Sequence, residues 1–350
     1  MKKVYLILAF WLSCISIALS QVVGGQSVYQ FLTLSNTARI TGLGGNLITV
    51  YDDDAALGYH NPAVLNPTMH QQLSFSTSPY FADINHGYAS YAHHLKGIKS
   101  TMYGGIQYIA YGDFDGTDVT GQPVGSFSAN EYALSFGIGH RYNERLSFGM
   151  NAKLISSQFE SYNSYGIASD WAAFYQDTSK NITFTMVFKN VGTQFSTYFP
   201  DNEENLPFDV QIGFSKRLKY LPFRFSVIVH NLHRWDIRYD DPDLDEPTLL
   251  FGDDNTQGEQ SFFFDTFFRH FIFNGEFLIG KRENLRLRIG YNHFVRGELS
   301  VPNTVSFSGF TFGVGLKIKQ FRIDFGRGIY HLAGGFNHFT ISTNFQEFKK

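Results

Sequence analysis

The segment EYALSFGIGHRYNERLSFGMNAKL, residues 131–154, carries the pattern from which the fold can be predicted. In its first half, bulky apolar residues from Tyr132 to Ile138 alternate with small or polar residues. The same alternation resumes from Leu146 to Leu154 after a tight connection at 142–144. A period of two is that of a β-strand whose two faces differ, because successive side chains point to opposite sides. The segment therefore predicts two antiparallel strands, each with one bulky apolar face and one small or polar face.

This alternation recurs along the chain. It returns at 182–189, 208–215, 285–291 and 310–318, with Phe, Ile, Leu or Val on one face and Gly, Thr, Arg or Lys on the other. Long strands with one apolar face and one polar face are typical of transmembrane β-barrels, whereas soluble sandwiches use shorter strands. We therefore predict an all-β protein, a closed transmembrane antiparallel barrel whose outer face contacts outer-membrane lipid.

Fourteen segments carry the strand pattern, and an even number is usual for a closed bacterial barrel. The alternation is poor in the first, second and thirteenth segments, so twelve strands is the alternative. The predicted strands are 71–78, 86–94, 99–111, 129–141, 145–158, 163–175, 181–191, 207–217, 221–235, 262–279, 284–296, 307–319, 321–330 and 334–346.

The connections between these segments alternate in length. If the N-terminus is periplasmic, the even-numbered connections are the short ones, and the long ones at 112–128, 192–206, 236–261 and 297–306 lie on the outside. Barrels of this class have short periplasmic turns and longer extracellular loops. Lys and Arg concentrate at the turn end, and acidic residues concentrate on the loop side. The pattern predicts an integral protein of the bacterial outer membrane.

Residues 1–20 have the features of a secretory signal peptide. Met1-Lys2-Lys3 is followed by an apolar stretch that ends in the small-residue tripeptide Ala18-Leu19-Ser20. An uncleaved anchor helix is the alternative, but the stretch is shorter than the roughly 20 residues that a spanning helix needs. The single cysteine, Cys14, lies in this segment. We therefore expect an exported chain without disulfides, cysteine zinc sites or thiol catalysis.

Composition narrows the function classes further. Aromatic residues make up 17% of the 350 residues, and the net charge of -3 gives no support to nucleic-acid binding. The mean hydropathy of -0.17 excludes a bundle of membrane helices but fits a barrel, whose strands alternate apolar and polar residues. The chain has no Gly-x-Ser-x-Gly, His-Glu-x-x-His or phosphate-loop motif. We expect neither an enzyme nor a bound cofactor.

Residues 21–70 precede the predicted barrel at 71–350 and do not alternate. A barrel of fourteen strands is too wide for small inward side chains to fill. We therefore expect this segment to be a plug in the lumen, with a periplasmic extension as the alternative. It contains Asp52-Asp53-Asp54, which could bind a hard cation, cap a turn or pair with lumen cations. Its Gly42-Leu43-Gly44-Gly45 run is not a dinucleotide loop, since no βαβ pattern follows.

These N-terminal motifs carry a resemblance to a known family. The order Tyr29-Gln30-Phe31-Leu32, Ala38-Arg39, Gly42-Leu43-Gly44-Gly45, Asp52-Asp53-Asp54 and Asn61-Pro62-Ala63 resembles the start of the PorV/PorQ family. That family is itself similar to FadL-type barrels, whose N-terminal segment forms a hatch in the lumen. Later motifs resemble the PorQ branch, and the resemblance covers essentially the whole mature chain. They are Tyr80-Phe81-Ala82-Asp83-Ile84, Tyr91-Ala92-His93-His94, Gly105-Ile106-Gln107-Tyr108, Leu206-Pro207-Phe208-Asp209 and His230-Asn231-Leu232-His233-Arg234-Trp235.

The resemblance implies a role in type IX protein secretion. A PorQ-like barrel would belong to the cell-surface attachment machinery and hold a PorZ-like surface protein, with PorU and PorV in the same machinery. It also implies that Arg39, the glycine run, the aspartate triplet and Asn61-Pro62-Ala63 are the family-motif residues of the plug.

Two functions remain open, an anchor for a surface partner and a FadL-like transporter of hydrophobic solutes. The fifth loop on the outer side, at 236–261, favours the anchor. It has no Lys or Arg from 239 to 260, so it would be a poor entrance for an apolar ligand. It could instead meet a basic partner, bind calcium or be a solvated loop. The candidate partner-binding residues are Asp240, Asp241, Asp243, Asp245, Glu246, Asp253 and Asp254.

Overall fold

The computed structural model describes residues 27–200, 202–238, 256–299, 307–331 and 334–348. Within these ranges, fourteen antiparallel strands form one closed barrel in which each strand pairs with its neighbours in sequence and β1 closes against β14. The predicted closed barrel of fourteen strands is confirmed, and the alternative of twelve is wrong. The predicted signal peptide at 1–20 lies outside the described residues.

The elements follow one another around the barrel in chain order. The strands are β1 Gln72–Pro79, β2 Asn85–Leu95, β3 Ser100–Thr117, β4 Pro123–Arg141, β5 Leu146–Phe159, β6 Tyr162–Asp177, β7 Ile182–Ser196, β8 Asp209–Arg217, β9 Phe223–Val229, β10 Phe271–Ile279, β11 Leu285–Asn292, β12 Phe310–Ile318, β13 Phe321–His331 and β14 Gly334–Asn344. The α-helices are α1 Ala38–Thr41, α2 Thr256–Arg269 and α3 His293–Leu299. The 3-10 turns are Gln30–Thr33, Ala55–Tyr59, Pro62–Val64, Pro67–Met69, Lys96–Ile98 and Phe345–Phe348.

The two faces of the strands differ as the alternation predicts. In β11, Leu287 and Ile289 are 41% and 43% exposed on the outside, whereas Arg286 and Arg288 are buried in the lumen. A large exposed apolar belt is unfavourable in water but is required where the outside of a barrel meets hydrocarbon. No helix in the described part of the chain is long and apolar enough to cross a membrane. The protein is an integral outer-membrane β-barrel.

One end of the barrel has only short connections. Each connection that follows an even-numbered strand up to β12 has two to five residues, whereas the connections after β7, β9 and β11 are long. We call these the short-turn end and the long-loop end. By the usual geometry of outer-membrane barrels, the short-turn end is periplasmic. The third connection is shorter than predicted, because β3 and β4 extend to 117 and 123 past a register shift beside Gly112, whose φ is +90°. That bulge interrupts the alternation, which is why the sequence pattern ended there.

Three strand predictions were too long. The tenth predicted strand, 262–279, begins with eight residues that belong to α2, and the strand itself starts at Phe271. The run of phenylalanines hides a helical period, in which Arg269 pairs with Asp265 one turn earlier. The ninth predicted strand, 221–235, shortens to Phe223–Val229, and the eleventh, 284–296, ends at Asn292 before α3.

Residues 27–71, which we call the plug, lie inside the barrel. Helix α1 contacts β12, β13 and β14, whereas the turn Pro62–Val64 contacts β4, β5 and β6. These two groups of strands lie on opposite sides of a closed fourteen-strand barrel. The plug therefore fills the lumen from wall to wall.

Inward glycines allow the backbone of the plug to approach the wall. A Cβ atom at Gly326 would overlap the carbonyl of Ala38, and one at Gly149 would overlap the backbone of Pro62. On the plug itself, a Cβ atom at Gly42 would lie 2.8 Å from the Cα of Gly313. The small residues on the inner face of the alternation thus make room for a second piece of chain.

Candidate functional site

An ionic cluster joins the plug to the wall near the short-turn end. Arg39 of α1 is completely buried, and its guanidinium lies 2.7 Å from Asp52, 3.0 Å from Asp54 and 3.2 Å from Glu276 of β10. Two of these carboxylates belong to the plug and one to the barrel. Arg39 therefore crosslinks the aspartate triplet to the wall of the lumen.

Arginines of the wall complete the ionic cluster. Arg322 of β13 lies 2.8 Å from Asp53, and Arg286 of β11 and Arg224 of β9 lie 3.5 Å and 3.6 Å from Asp52. The glutamate, Glu276, also pairs with Arg224 and Arg288, and Arg288 lies 2.6 Å from Asp324. Five arginines and five carboxylates make the ionic cluster formally neutral. Its members are Arg39, Asp52, Asp53, Asp54, Arg224, Glu276, Arg286, Arg288, Arg322 and Asp324.

The three aspartates are not equivalent. Burial alone would raise the pKa of Asp52, but Arg39, Arg286 and Arg224 together hold it far below its usual range. Burial also opposes ionisation of Asp53, but Arg322 keeps the pKa of that carboxyl below its ordinary value. For Asp54 burial prevails over the attraction of Arg39, so its pKa is raised. As the pH falls, Asp54 is therefore protonated before Asp52 and Asp53, which keep their negative charges to lower pH.

The predicted glycine run ends α1 and aligns it with the wall. Gly44 and Gly45 have φ values of +79° and +88°, a left-handed conformation that glycine adopts without strain. This conformation directs the amide of Gly44 to the Thr311 hydroxyl of β12, at 2.8 Å. Gly42 lies against Gly313 of the same strand. The run acts through backbone geometry and takes no part in the ionic cluster.

Asn61-Pro62-Ala63 contacts the wall on β5 and β7, which are not strands of the ionic cluster. The Asn61 side-chain oxygen accepts the amide of Ala63, and its amide nitrogen donates to Thr185 of β7 at 2.8 Å. Pro62 then packs on the inward glycine Gly149. The motif is a helical cap that fixes the middle of the plug to β5 and β7.

A second buried polar network, which the sequence analysis missed, lies at mid-height. Lys153 of β5 is 2.8 Å from Asp170 of β6, and its ammonium donates to Asn190 of β7 at 2.8 Å. The same ammonium lies 4.6 Å from the centre of the Tyr59 ring in the plug. Lys153 and Asp170 both occupy inward positions of their strands, so the alternation could have paired them. Asn190 enters through a bulge at φ +56° that the pattern does not reveal.

An apolar vestibule lies at the long-loop end of the lumen. It is formed by inward residues of β3 to β6 and one loop residue, and the uncharged plug residues Val28 to Leu32 fill it. Three hydrogen bonds join this stretch to residues outside the plug: the Val28 amide donates to the Asn205 carbonyl at 3.0 Å, the Tyr29 and Ser164 hydroxyls are 2.5 Å apart, and Gln107 donates to the Phe31 carbonyl at 2.7 Å. The vestibule residues are Ile109, Ala133, Ile155, Ala168 and Leu206.

The candidate partner-binding residues of the fifth loop lie outside the described residues. These residues, Asp240, Asp241, Asp243, Asp245, Glu246, Asp253 and Asp254, remain a prediction from the sequence. What is described of this connection is helix α2 and the stretch from 230 to 238.

Comparison with known proteins gives a fold. No family model and no curated protein matches the chain. Among solved structures, the monoaromatic hydrocarbon channel CymD is 13% identical with a TM-score of 0.51, covering 89% of this chain and 96% of that chain. The Pseudomonas putida toluene transporter TodX is 12% identical with a TM-score of 0.48, covering 88% of this chain and 96% of that chain. A Pseudomonas aeruginosa FadL homologue is 7% identical with a TM-score of 0.48, covering 89% and 98% of the two chains. The chain has the fold of FadL-like outer-membrane barrels.

Proposed function

We propose that this barrel admits small hydrophobic solutes through the outer membrane and that the apolar vestibule is their first binding site. The observation that carries the proposal is the nature of what fills the vestibule. Val28 to Leu32 is an uncharged stretch joined to the barrel by three neutral hydrogen bonds, whereas the other end of the plug is held by buried ion pairs.

At the vestibule, the free energy lost when the plug stretch leaves is close to the free energy that a bound solute recovers. Burying a side chain such as Phe31 contributes about 1.5–3 kcal/mol, and a solute of similar size in the same space would recover a similar amount. The three hydrogen bonds contribute about 1 kcal/mol each after exchange with water. Displacement by a hydrophobic solute would therefore cost little, whereas a strongly hydrated solute would gain nothing from the apolar residues of the vestibule.

The experiment measures solute uptake by variants in which isoleucine is replaced by asparagine, either inside the vestibule or elsewhere against the plug. Toluene is the probe, because CymD is described as a monoaromatic hydrocarbon channel. Radiolabelled toluene uptake is measured in a diderm host that lacks related channels. Ile109→Asn or Ile155→Asn places an amide in the vestibule, and Ile228→Asn places one against the plug on β9, outside the vestibule.

We expect the vestibule variants to lose roughly five- to a hundredfold in initial rate, because an unmatched buried amide costs about 1–3 kcal/mol. The Ile228 variant should keep most of the rate. Equal losses in all three variants would show that the vestibule is not the path. Uptake no faster than in cells without the barrel would reject the transport function itself.

A second candidate function is attachment of a surface protein in type IX secretion. Two sequence features favour it: the ordered PorQ-like motifs, and the acidic fifth loop without Lys or Arg. In this case a PorZ-like protein with a basic patch would dock on the loop, and PorU and PorV would belong to the same machinery.

The test neutralises Asp240, Asp241, Asp243 and Asp245 to Asn. Recovery of the PorZ-like protein with the tagged barrel should fall and become less sensitive to salt, since charge complementarity governs association. Unchanged recovery across the salt series would place docking elsewhere. If even the unaltered barrel recovers no such partner, this candidate is rejected.

A further inference from the structure

Helix α2 has one aromatic side and one polar side. The polar side packs against α3, where Arg269 lies 2.6 Å from Asp265 and also pairs with Glu298, and Thr266 of the same side is fully buried. The aromatic side faces away from these contacts. Its residues and their exposed fractions are Phe263 53%, Phe264 59%, Phe267 38% and Phe268 42%.

A tryptophan from the preceding stretch joins this aromatic side. The ring of Trp235 lies 5.4 Å from that of Phe263 and 6.4 Å from that of Phe267, and it is itself 52% exposed. His270 holds the backbone of Trp235 in place, because a ring nitrogen of His270 lies 3.0 Å from the Trp235 carbonyl oxygen. The loop thus presents five large aromatic side chains on one surface, which we call the aromatic surface.

The aromatic surface is continuous with the lipid-facing wall. Phe267 lies 4.9 Å from Phe271, the first residue of β10, and Phe271 stacks at 5.9 Å on Phe273. Phe273 points outward from the barrel, as do Tyr291 and Phe310 on the next two strands, whose rings are 4.8 Å apart. An unbroken row of rings therefore runs from the membrane-embedded outside of the barrel onto the loop helix.

We propose that α2 and Trp235 insert into the outer leaflet, at the boundary between acyl chains and headgroups. We infer that lipid covers the aromatic surface because this surface is continuous with the wall, so the lipid that covers Phe273 also reaches the rest of the row of rings. Helices with one aromatic side and one polar side lie in this boundary, where Trp and Phe are favoured. Burying four phenylalanines and one tryptophan in lipid removes apolar area that would otherwise remain in water. The described part of the connection between β9 and β10 is thereby held against the membrane. This inference does not depend on solute transport.

Trp235 makes the proposal measurable with the full chain. The sequence has three tryptophans, and Trp11 lies in the predicted signal peptide. Trp171→Phe therefore leaves Trp235 as the only tryptophan of the exported barrel. The variant is reconstituted in phosphatidylcholine vesicles that contain lipids brominated at defined acyl positions, and tryptophan emission is recorded with no solute added.

We expect blue-shifted emission that is quenched most strongly by bromines nearest the headgroup and little by iodide in the water. The matched control is Trp235→Phe, which leaves Trp171 near the middle of β6, half-exposed on the lipid-facing side. Its emission should be quenched most strongly by deeper bromines. The control calibrates depth within the same barrel.

A second variant tests whether the helix itself is responsible. Phe264→Ser with Phe268→Ser in the Trp171→Phe background should reduce shallow-bromine quenching of Trp235 at least twofold, while unboiled samples still migrate as folded barrel. Emission from Trp235 that is quenched by iodide but not by brominated lipid would overturn the proposal and place the surface in water. Protection from both quenchers would also overturn it, because the surface would then be covered by protein.

Discussion

Removing Arg39 should release the plug. In Arg39→Met the carboxylates of Asp52, Asp54 and Glu276 lose the guanidinium that lies 2.7–3.2 Å from them. Deleting one partner of a buried ion pair costs about 3–5 kcal/mol, and here the formally neutral ionic cluster is left with one buried negative charge in excess. Since about 1.4 kcal/mol corresponds to a factor of ten, the undocked population should rise roughly a hundredfold to a few thousandfold. The measurement is the frequency of open events for single barrels in planar bilayers.

The control for this prediction is an ion pair of the same chemistry at the surface. Arg217 is half-exposed and pairs with Glu283 at 2.7 Å, at the short-turn end. Surface pairs contribute about 0–1 kcal/mol, so Arg217→Met should leave the open frequency nearly unchanged. If Arg39→Met also opens no more often than the unaltered barrel, the ionic cluster does not hold the plug. Arg39→Met combined with Glu276→Gln makes the cluster formally neutral again, so a double variant that stays closed would identify the excess negative charge as the cause of opening in the single variant.

Three further predictions concern the plug and the barrel. Deleting 22–70 should raise single-channel conductance, and an unchanged conductance would contradict a lumen filled by this segment. Asp52→Asn should open the plug much more than Asp54→Asn, because the raised pKa of Asp54 means that its charge opposes docking, whereas the lowered pKa of Asp52 means that its charge supports docking. Because the pKa of Asp52 is lowered in the docked plug, its charge stabilises docking above about pH 4, the ordinary pKa of an aspartate, and this stabilisation is lost as the pH falls further. Opening should therefore rise only below about pH 4. Protonation of Asp54 on the way down should not open the plug, and opening already between pH 7 and 5 would refute this assignment. The unboiled protein should migrate differently from the boiled protein and give a β-rich circular dichroism spectrum; a helical spectrum would contradict the barrel.

The alternation was sufficient to predict the barrel because a strand with a lipid face and a lumen face must have two kinds of side chain. It failed where local geometry broke the period. At Gly112 a bulge ended the pattern although pairing continues to 117 and 123. At 262–269 a dense run of phenylalanines resembled a strand but forms part of α2, because the polar positions Asp265 and Arg269 are spaced for a helix.

The site was predictable only in part. Pairing with lumen cations was one interpretation of the aspartate triplet, but its partners are up to 269 residues away in sequence. Inward arginines such as Arg286 and Arg322 are visible in the alternation as polar residues. Which of them share a height in the lumen depends on the stagger between strands and on how the plug is folded. Strand stagger and the path of the plug are features of the tertiary structure, and the alternation in one sequence does not reveal them.

The two ends of the plug differ in what holds them, and this difference predicts the order in which the lumen would open. The stretch Val28 to Leu32 is held by apolar packing and neutral hydrogen bonds, each of about 1 kcal/mol, whereas the ionic cluster contains several buried pairs that depend on one another. A solute arriving from the long-loop end would therefore meet the weaker end first, and the ionic cluster would be the second barrier. The two barriers should respond to different substitutions. Ile109→Asn should impair solute uptake without opening the pore to ions, and Arg39→Met should open the pore to ions without weakening solute binding in the vestibule. A variant of one end that produced both effects would show that the plug moves as a single body.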